Sequence, residues 1–152
     1  MIALVAYQTV LVGTDGSESS FAAVASAARL AAACKAELVI ACAYSPMRGA
    51  ELATAQDQLG AEAYQVVGSA PAEDTLRIAG DRARAEGVVD VRSVAVQDEP
   101  VAALERIAQE CSADLIVVGN RGLRSLAGRI LGSVPADIAR KAGLDVLIVH
   151  TT

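Results

Sequence analysis

The sequence predicts one α/β domain, residues 1–152, built on a doubly wound, Rossmann-like parallel sheet of five strands with helices on both faces. Three observations support this prediction. Short runs rich in Val, Ile and Leu recur along the 152 residues, and Ala-rich segments with helical periodicity separate most of them. The runs are continuously apolar, which strands covered on both faces require. Right-handed crossovers between successive strands then give the strand order 3-2-1-4-5.

The five predicted strands are the segments in which these apolar runs occur. They span residues 9–12, 37–42, 89–96, 114–118 and 145–150. Because 53% of the residues are hydrophobic, a chain of this length has enough apolar side chains for one core between the sheet and its two layers of helices.

Four helices are predicted from the residues that favour helix ends. Ser17 is a typical N-cap, and the helix after it runs to about Cys34. Proline is tolerated in the first turn of a helix, where its missing N–H is not needed, and glycine favours the position after the last turn. The other three helices are marked by Pro71 and Gly87, by Pro100, and by Ser133, Pro135 and Gly143.

The segment 44–70 interrupts this alternation of strands and helices. It is longer than an ordinary connection in a compact domain, contains three glycines, and has some helical character between residues 50 and 64. We predict a surface loop here, with a flap over a ligand as the alternative.

Composition excludes several classes of partner. A formal net charge of -5 argues against nucleic acid, which is bound through clustered Lys and Arg. The apolar run 1–12 is too short to span a membrane and lacks the basic head of a signal peptide, since the first basic residue is Arg29. Cys34, Cys42 and Cys111 are odd in number, with neither CxxC nor metal-ligand spacing. We therefore expect a cytoplasmic protein with buried, reduced cysteines, no disulfide and no metal site.

Two glycine-containing segments follow strands, at the sheet edge where ligands of open parallel sheets bind. Gly13-Thr14-Asp15-Gly16-Ser17 follows the first strand, and Gly119-Asn120-Arg121-Gly122 follows the fourth. The second segment leads to Gly132-Ser133 at the predicted start of a helix. Glycine allows backbone N–H groups to converge on an anion, and a helix N-terminus adds unpaired donors and a favourable dipole. These segments predict a phosphate-binding loop.

The same loop concentrates positive charge in an acidic chain. Arg121, Arg124 and Arg129 lie between the glycines, which favours a polyanionic ligand. The loop is neither a Walker A motif nor the dinucleotide-binding G-x-G-x-x-G pattern, because the residues these motifs require are absent from it.

The full spacing is Gly119, two residues, Gly122, nine residues, Gly132 and Ser133. It resembles the G-2x-G-9x-G-(S/T) signature of ATP-binding universal stress proteins. The resemblance extends over essentially the whole chain, through residues 10–17, 113–119 and 145–149. It adds weight to the phosphate loop because the signature falls after the fourth of five predicted strands.

This resemblance implies specific contacts with an adenine nucleotide. Gly122, Gly132 and Ser133 would hold phosphate, Gly119 would lie against the ribose, and Asp15 would lie beside the ribose and adenine. Backbone groups near Ala43, at the end of the second strand, would meet the adenine edge. The residues expected to bind nucleotide are Gly13, Thr14, Asp15, Ala43, Gly119, Asn120, Arg121, Gly122, Arg129, Gly132, Ser133 and Val134.

Two positions depart from the family pattern. Gly13 replaces a proline that often precedes the Thr-Asp pair, and Asp98-Glu99 replaces a glycine common before the third helix. Two acids facing the site would weaken the binding of an anion, although acids also suit the first turn of a helix.

The last strand is the expected contact in a homodimer. It lies at a sheet edge in the predicted order, and an apolar edge left bare would promote aggregation. The resemblance implies that two copies of this edge meet, through Val146, Leu147, Ile148 and Val149. His150, the single histidine, is expected to have a structural or interface role and no catalytic one.

The expected function is that of a dimeric stress or signalling module that binds ATP, AMP or cyclic AMP, with Mg²⁺ as a possible companion of ATP. One alternative is a slow enzyme that hydrolyses or transfers part of ATP. The glycine loop offers no general acid or base, and only Asp15 is available to hold a metal ion or orient a water. Another alternative is a dimeric stress protein without nucleotide. Receiver domains and flavodoxins share the fold, but their acidic pair and stacking aromatics are missing.

Overall fold

The computed structural model describes residues 6–45, 66–67, 69–120 and 133–151. These residues form six strands and four helices. In chain order they are β1 (Thr9–Gly13), α1 (Glu18–Cys34), β2 (Glu37–Ser45), β3 (Val66–Val67), α2 (Ser69–Ala85), β4 (Val91–Gln97), α3 (Pro100–Glu110), β5 (Leu115–Gly119), α4 (Ser133–Lys141) and β6 (Asp145–Val149). No helix in the described ranges is long and apolar enough to cross a membrane.

The sheet confirms the predicted topology. Its long strands lie in the order β4-β2-β1-β5-β6, and all their pairings are parallel. The five predicted strands correspond, in chain order, to β1, β2, β4, β5 and β6, so the observed order is the predicted 3-2-1-4-5. The short β3 was not predicted; it pairs in parallel with Tyr44 and Ser45 at the end of β2.

Helices cover both faces of the sheet because successive strand residues point to opposite sides. Val10 and Val12 of β1 pack into a core with α1 and α2. Leu11, between them, packs into a second core with α3 and α4. All three side chains are fully buried, as the continuous apolar run predicts.

The helix ends follow the expected chemistry. The Ser17 side chain caps α1 by accepting a hydrogen bond from the Ser20 N–H at 3.1 Å. Gly87 and Gly143, after α2 and α4, have positive φ angles of 101° and 69°, which glycine adopts without strain. Pro100 lies in the first turn of α3. The α2 helix begins at Ser69, two residues before the predicted proline.

Two strand boundaries differ from the prediction by more than one residue. β2 continues to Ser45 because β4 supplies backbone partners as far as Tyr44. β4, which corresponds to the predicted strand 89–96, begins only at Val91, the first residue paired with β2. Val89 precedes the strand and is 94% exposed. Within the predicted loop 44–70, residues 44–45 therefore belong to β2, residues 66–67 form β3, and residues 69–70 begin α2. Residues 46–65 and 68, on which the flap interpretation depends, lie outside the described residues.

All three cysteines lie in the described ranges and are free thiols in the structure. The expectation that all three are buried is right only for Cys42, which lies in β2 between the two layers of helices. Cys34 and Cys111 are half-buried, because each lies at the end of a helix, where the packing against the sheet is incomplete.

Candidate functional site

A cleft opens beyond the carboxyl ends of β1 and β5. Here β1 has β2 on one side and β5 on the other, so the winding direction of the sheet reverses, as it does at ligand sites of doubly wound folds. The cleft is open to solvent and is bordered by both apolar and polar side chains. Its described lining consists of Gly13, Thr14, Asp15, Ser19, Ser20, Ala41, Ala43, Pro100, Ala103, Leu104, Val118, Gly119 and Val134.

The walls of the cleft are mainly apolar. Ala41 and Ala43 come from β2, Val118 from β5, and Leu104 from the buried face of α3. A Cβ placed on Gly13 would come within 3.3 Å of Leu104 Cδ2, so the glycine lets α3 approach the end of β1 closely. Small apolar side chains leave a surface on which a flat aromatic base can lie.

A polar edge surrounds the start of α1. The buried Thr14 hydroxyl lies 2.7 Å from the Ser20 hydroxyl and accepts a hydrogen bond from the Gly16 N–H at 3.2 Å. The Ser20 hydroxyl in turn donates to the Ser17 carbonyl at 2.9 Å. These bonds hold the loop after β1 in one conformation and place Asp15 at the mouth of the cleft.

Asp15 combines a local structural role with an open acceptor. Its Oδ1 accepts hydrogen bonds from the Ser17 N–H at 3.0 Å and from the Ser17 hydroxyl at 2.6 Å. No donor from the described ranges contacts Oδ2, which therefore remains available to a ligand hydroxyl or amine. Burial, with a smaller contribution from the Asp15 charge, raises the pKa of the Cys42 thiol to about 12.

Asn120 fixes the end of β5 to the end of the chain. Asn120 is buried, with 3% of its surface exposed. Its backbone N–H donates a hydrogen bond to the Val149 carbonyl at 3.0 Å. Its Oδ1 accepts from both the N–H and the hydroxyl of Thr151, and its Nδ2 lies 3.0 Å from Nδ1 of His150. His150 thus contacts this amide.

The structure brings several predicted residues together. Gly13, Thr14, Asp15, Ala43, Gly119 and Val134 all line the cleft. Asn120 lies next to it. Arg121, Gly122, Arg129 and Gly132 lie outside the described residues, and of Ser133 only its place as the first residue of α4 is described. Their roles in binding stay predictions.

Sequence reasoning missed several residues of the lining. Ser19 and Ser20 follow the first glycine segment within one helical turn, so their proximity was detectable from the predicted helix start. Leu104 lies one turn after Pro100 on the predicted apolar stripe of α3, but the pattern alone could not show that its end borders a cleft. Its position depends on how α3 packs across β1.

Of the two acids before α3, neither Asp98 nor Glu99 belongs to the described lining of the cleft. The Asp98 carboxylate lies 3.7 Å from the Arg106 guanidinium, which partly balances its charge. No group of three or more His, Cys, Asp or Glu side chains in the described part of the chain could hold a metal ion.

Comparison with known proteins identifies the family. The model of the universal stress protein family matches residues 6–150. A universal stress protein of Mycobacterium tuberculosis is 52% identical over 147 residues, which are 97% of this chain and 99% of that protein. A solved universal stress protein in complex with cAMP has 47% identity and a TM-score of 0.76, covering 96% of this chain and 98% of that one. The crystal structure of a Mycobacterium tuberculosis protein has 45% identity and a TM-score of 0.63, covering 99% and 100%.

These matches span nearly the whole of each chain, and the solved relatives share the α/β fold. The resemblance noted in the glycine signature is confirmed, and the chain belongs to the universal stress protein family.

Proposed function

We propose that this single domain binds an adenine nucleotide in the cleft at the ends of β1 and β5. The observation that carries the proposal is the combination of small apolar walls with the polar Thr14–Asp15 edge, at the point where the sheet reverses its winding. The 47% identical relative solved in complex with cAMP supports the same class of ligand.

The ligand is oriented by the chemistry of the lining. The base lies on the apolar surface near Ala43 and Leu104, and Asp15 Oδ2 accepts a hydrogen bond from a ribose hydroxyl. The phosphates extend toward the first residue of α4, Ser133, where the unpaired N–H groups of a helix N-terminus favour an anion. Gly122 and Gly132 complete this phosphate contact in the proposal.

Cyclic AMP, AMP and ATP are the candidate nucleotides. The cAMP complex of the relative favours the cyclic nucleotide, whereas the arginines of the glycine loop favour a longer phosphate chain. ATP would arrive with Mg²⁺, which its phosphates bind themselves.

Titration calorimetry with the three nucleotides tests the proposal. We expect wild type to bind at least one of them, and Gly132→Val to lose binding while remaining folded, because a Cβ would block the approach of the loop to a phosphate. Ala139→Val is the matched control, since Ala139 is exposed on α4 outside the lining. Ser133→Ala should weaken binding less, by about 1 kcal/mol for one lost hydrogen bond.

The result against the proposal is equally clear. If no adenine nucleotide binds wild type below about 1 mM, where the binding free energy is only about 4 kcal/mol, the cleft does not serve this ligand. Mass spectrometry of small molecules released from freshly purified, denatured protein would then identify what does occupy it.

Catalysis by this site would need a group that activates water. Among the lining residues that the structure describes, Asp15 is the ionisable side chain, and Ser17 already engages its Oδ1. This arrangement supports binding over hydrolysis. A turnover assay with ATP and Mg²⁺ separates the two functions: loss of hydrolysis in Asp15→Asn at unchanged ATP affinity would favour the slow enzyme.

The protein is proposed to act as a homodimer through β6. β6 pairs with β5 along one side and lies last in the sheet. Leu147 on it is 40% exposed, and its three apolar neighbours are half-buried. β4, the other outer long strand, instead exposes Arg92 and Ser93, and polar edges resist strand pairing.

Light scattering at micromolar concentration tests the dimer. Leu147→Lys should shift the protein to monomer, because it places a charge in the contact. This change spares the core better than Ile148→Lys, since Ile148 packs against the α3 and α4 core and Leu147 does not. Val89→Lys, at a position 94% exposed away from β6, should leave the mass unchanged. A monomeric wild type would contradict the dimer.

We also place the protein in the cytoplasm. The three free thiols are stable in a reducing compartment, and secreted proteins of this size more often pair their cysteines. Fractionation of cells with an antibody to the protein tests this placement.

A further inference from the structure

We propose that Thr151 is a positioning residue of the nucleotide site, which braces the first turn of α1 against the end of β5 and so fixes the width of the cleft beside the ribose. Thr151 is not part of the described lining and acts through two residues that are, Ser19 and Gly119. This inference rests on the proposed nucleotide function and adds to it a residue that need not touch the ligand.

The end of β6 brings Thr151 back over the end of β5. The two strands pair in parallel as far as Gly119 and Val149, and the Asn120 N–H then donates to the Val149 carbonyl at 3.0 Å. This last backbone hydrogen bond fixes the direction in which the chain leaves the sheet. Two residues after Val149, the Thr151 side chain contacts both β5 and α1.

One side of Thr151 packs on Gly119. A Cβ placed on Gly119 would lie 3.5 Å from both Cγ2 and Oγ1 of Thr151, which is ordinary van der Waals contact. The same Cβ would lie 3.8 Å from the Ala23 Cβ in α1. Thr151 therefore fills the space over this glycine, next to the point where α1 approaches the end of β5.

The other side of Thr151 is joined to α1 by a hydrogen bond. Its hydroxyl lies 2.5 Å from the Ser19 hydroxyl, across 132 positions of sequence. Either oxygen can be the donor, and the two elements are joined in both cases. Among the described residues, Thr151 is the one side chain that forms a hydrogen bond with the Ser19 hydroxyl. The Ser19 side of the cleft is thus held to the segment after β6.

The width of the cleft matters because the ribose is contacted from two elements. Asp15 and Ser19 line the cleft from the segment around the start of α1, and Gly119 lines it from β5. In the proposed complex a ribose hydroxyl donates to Asp15 while the sugar lies against Gly119. Hydrogen bonds weaken steeply when their geometry is poor, and a ligand that must first order a loose wall binds less tightly. Thr151 supplies this order before the ligand arrives.

Titration calorimetry with cyclic AMP on two variants of Thr151 tests the brace. Thr151→Val keeps the shape of the side chain over Gly119 but removes the hydroxyl that joins it to Ser19. We expect this variant to bind about fivefold more weakly than wild type, the value of one hydrogen bond. Thr151→Ser keeps the hydroxyl and should recover most of the affinity. Equal affinities of wild type and Thr151→Val would overturn the inference.

A double variant shows whether Thr151 acts through Ser19. Ser19→Ala should weaken binding at least as much as Thr151→Val, because it removes the same hydrogen bond together with a polar group of the lining. Ser19→Ala/Thr151→Val should then bind no more weakly than Ser19→Ala alone. A double variant weakened by the product of the two single factors would mean that Thr151 acts independently of Ser19, against the proposal.

The choice of nucleotide tests where the brace acts. Cyclic AMP, AMP and ATP share the ribose and differ in their phosphates. Thr151→Val should therefore weaken the binding of each nucleotide that wild type binds by the same factor. A loss that grows with the length of the phosphate chain would place the effect of Thr151 at the phosphates and overturn its assignment to the ribose.

Tyr7→Phe is the matched control for the loss of a hydrogen bond to the same strand. The Tyr7 hydroxyl donates to Asp145 Oδ2 at 2.9 Å, at the first residue of β6 and so at the opposite end from Thr151. This variant should leave nucleotide affinity unchanged. If urea unfolding shows that Thr151→Val only loses stability, with wild-type affinity, the inference fails while nucleotide binding stands. Failure of wild type to bind any of the three nucleotides overturns the proposed function itself.

Discussion

Replacing Gly16 by alanine is predicted to destabilise the fold through the loop that carries Asp15. Gly16 has a φ of +86°, outside the left-handed region that other residues can enter. An added Cβ would also lie 2.9 Å from Thr75 Oγ1, in α2. The backbone must therefore change at Gly16, or Thr75 must move away from the cleft loop.

The two causes add, and the structure offers a control for each. A non-glycine residue in such a conformation costs about 1–3 kcal/mol, and forced overlap in a packed region adds about 1 kcal/mol or more. We expect Gly16→Ala to lower the free energy of unfolding by about 2–4 kcal/mol. Gly143→Ala, at φ +69° with no atom within 4 Å of the new Cβ, should show only the backbone cost, about 1–2 kcal/mol.

Urea unfolding followed by circular dichroism measures these differences, because an unchanged m-value shows that only stability has changed. The double variant Gly16→Ala/Thr75→Ala removes the overlapping hydroxyl and should recover about 1 kcal/mol. If Gly16→Ala is no more destabilising than Gly143→Ala, or if the second change recovers nothing, α2 does not constrain the cleft loop as the structure describes.

Three further predictions concern the core, the start of the sheet and pH. Ile138→Ala should lower the free energy of unfolding by about 2–5 kcal/mol, because the Ile138 side chain of α4 is fully buried in the core that includes α3. Ile78 on α2 is 37% exposed, so Ile78→Ala should lower it by less than about 1 kcal/mol. Equal losses of stability would contradict the assigned core. Asp114→Ala should cost about 1 kcal/mol, since its carboxylate accepts hydrogen bonds from two backbone N–H groups at the start of β1; a neutral effect in urea unfolding would show that water replaces it. The folded chain keeps the Cys42 proton up to a pKa of about 12, whereas the unfolded chain releases it near 9, so the free energy of unfolding should fall between these pH values. Cys42→Ala should make that fall shallower, and an unchanged slope would refute the burial effect.

The sequence by itself determined the fold class, the strand order and the family. Apolar runs such as 9–12 and 114–118, separated by helical segments, favour strands covered on both faces. The handedness of crossovers restricts the possible strand orders, and the predicted order 3-2-1-4-5 is the one observed. Local rules also placed Ser17 as an N-cap, because the side chain and the N–H groups it caps are neighbours in the chain.

Elements that depend on distant partners were placed less well. β2 extends to Ser45 because β4 lies beside it, and Val89 is exposed because β4 begins to pair only at Val91. No local pattern contains this information. The loop residues around Gly132, which the signature singles out, remain a prediction from sequence.

The tertiary structure decided how the cleft is lined and what its polar groups can do. Leu104 borders the cleft only because Gly13 lets α3 approach β1 within van der Waals distance. Ser19 and His150 are 131 positions apart in the chain, yet one hydrogen-bonded path joins them through Asn120. Sequence specifies which donors and acceptors exist, but their pairing depends on distances that arise when β5 and β6 align, and so this path is a property of the folded chain alone.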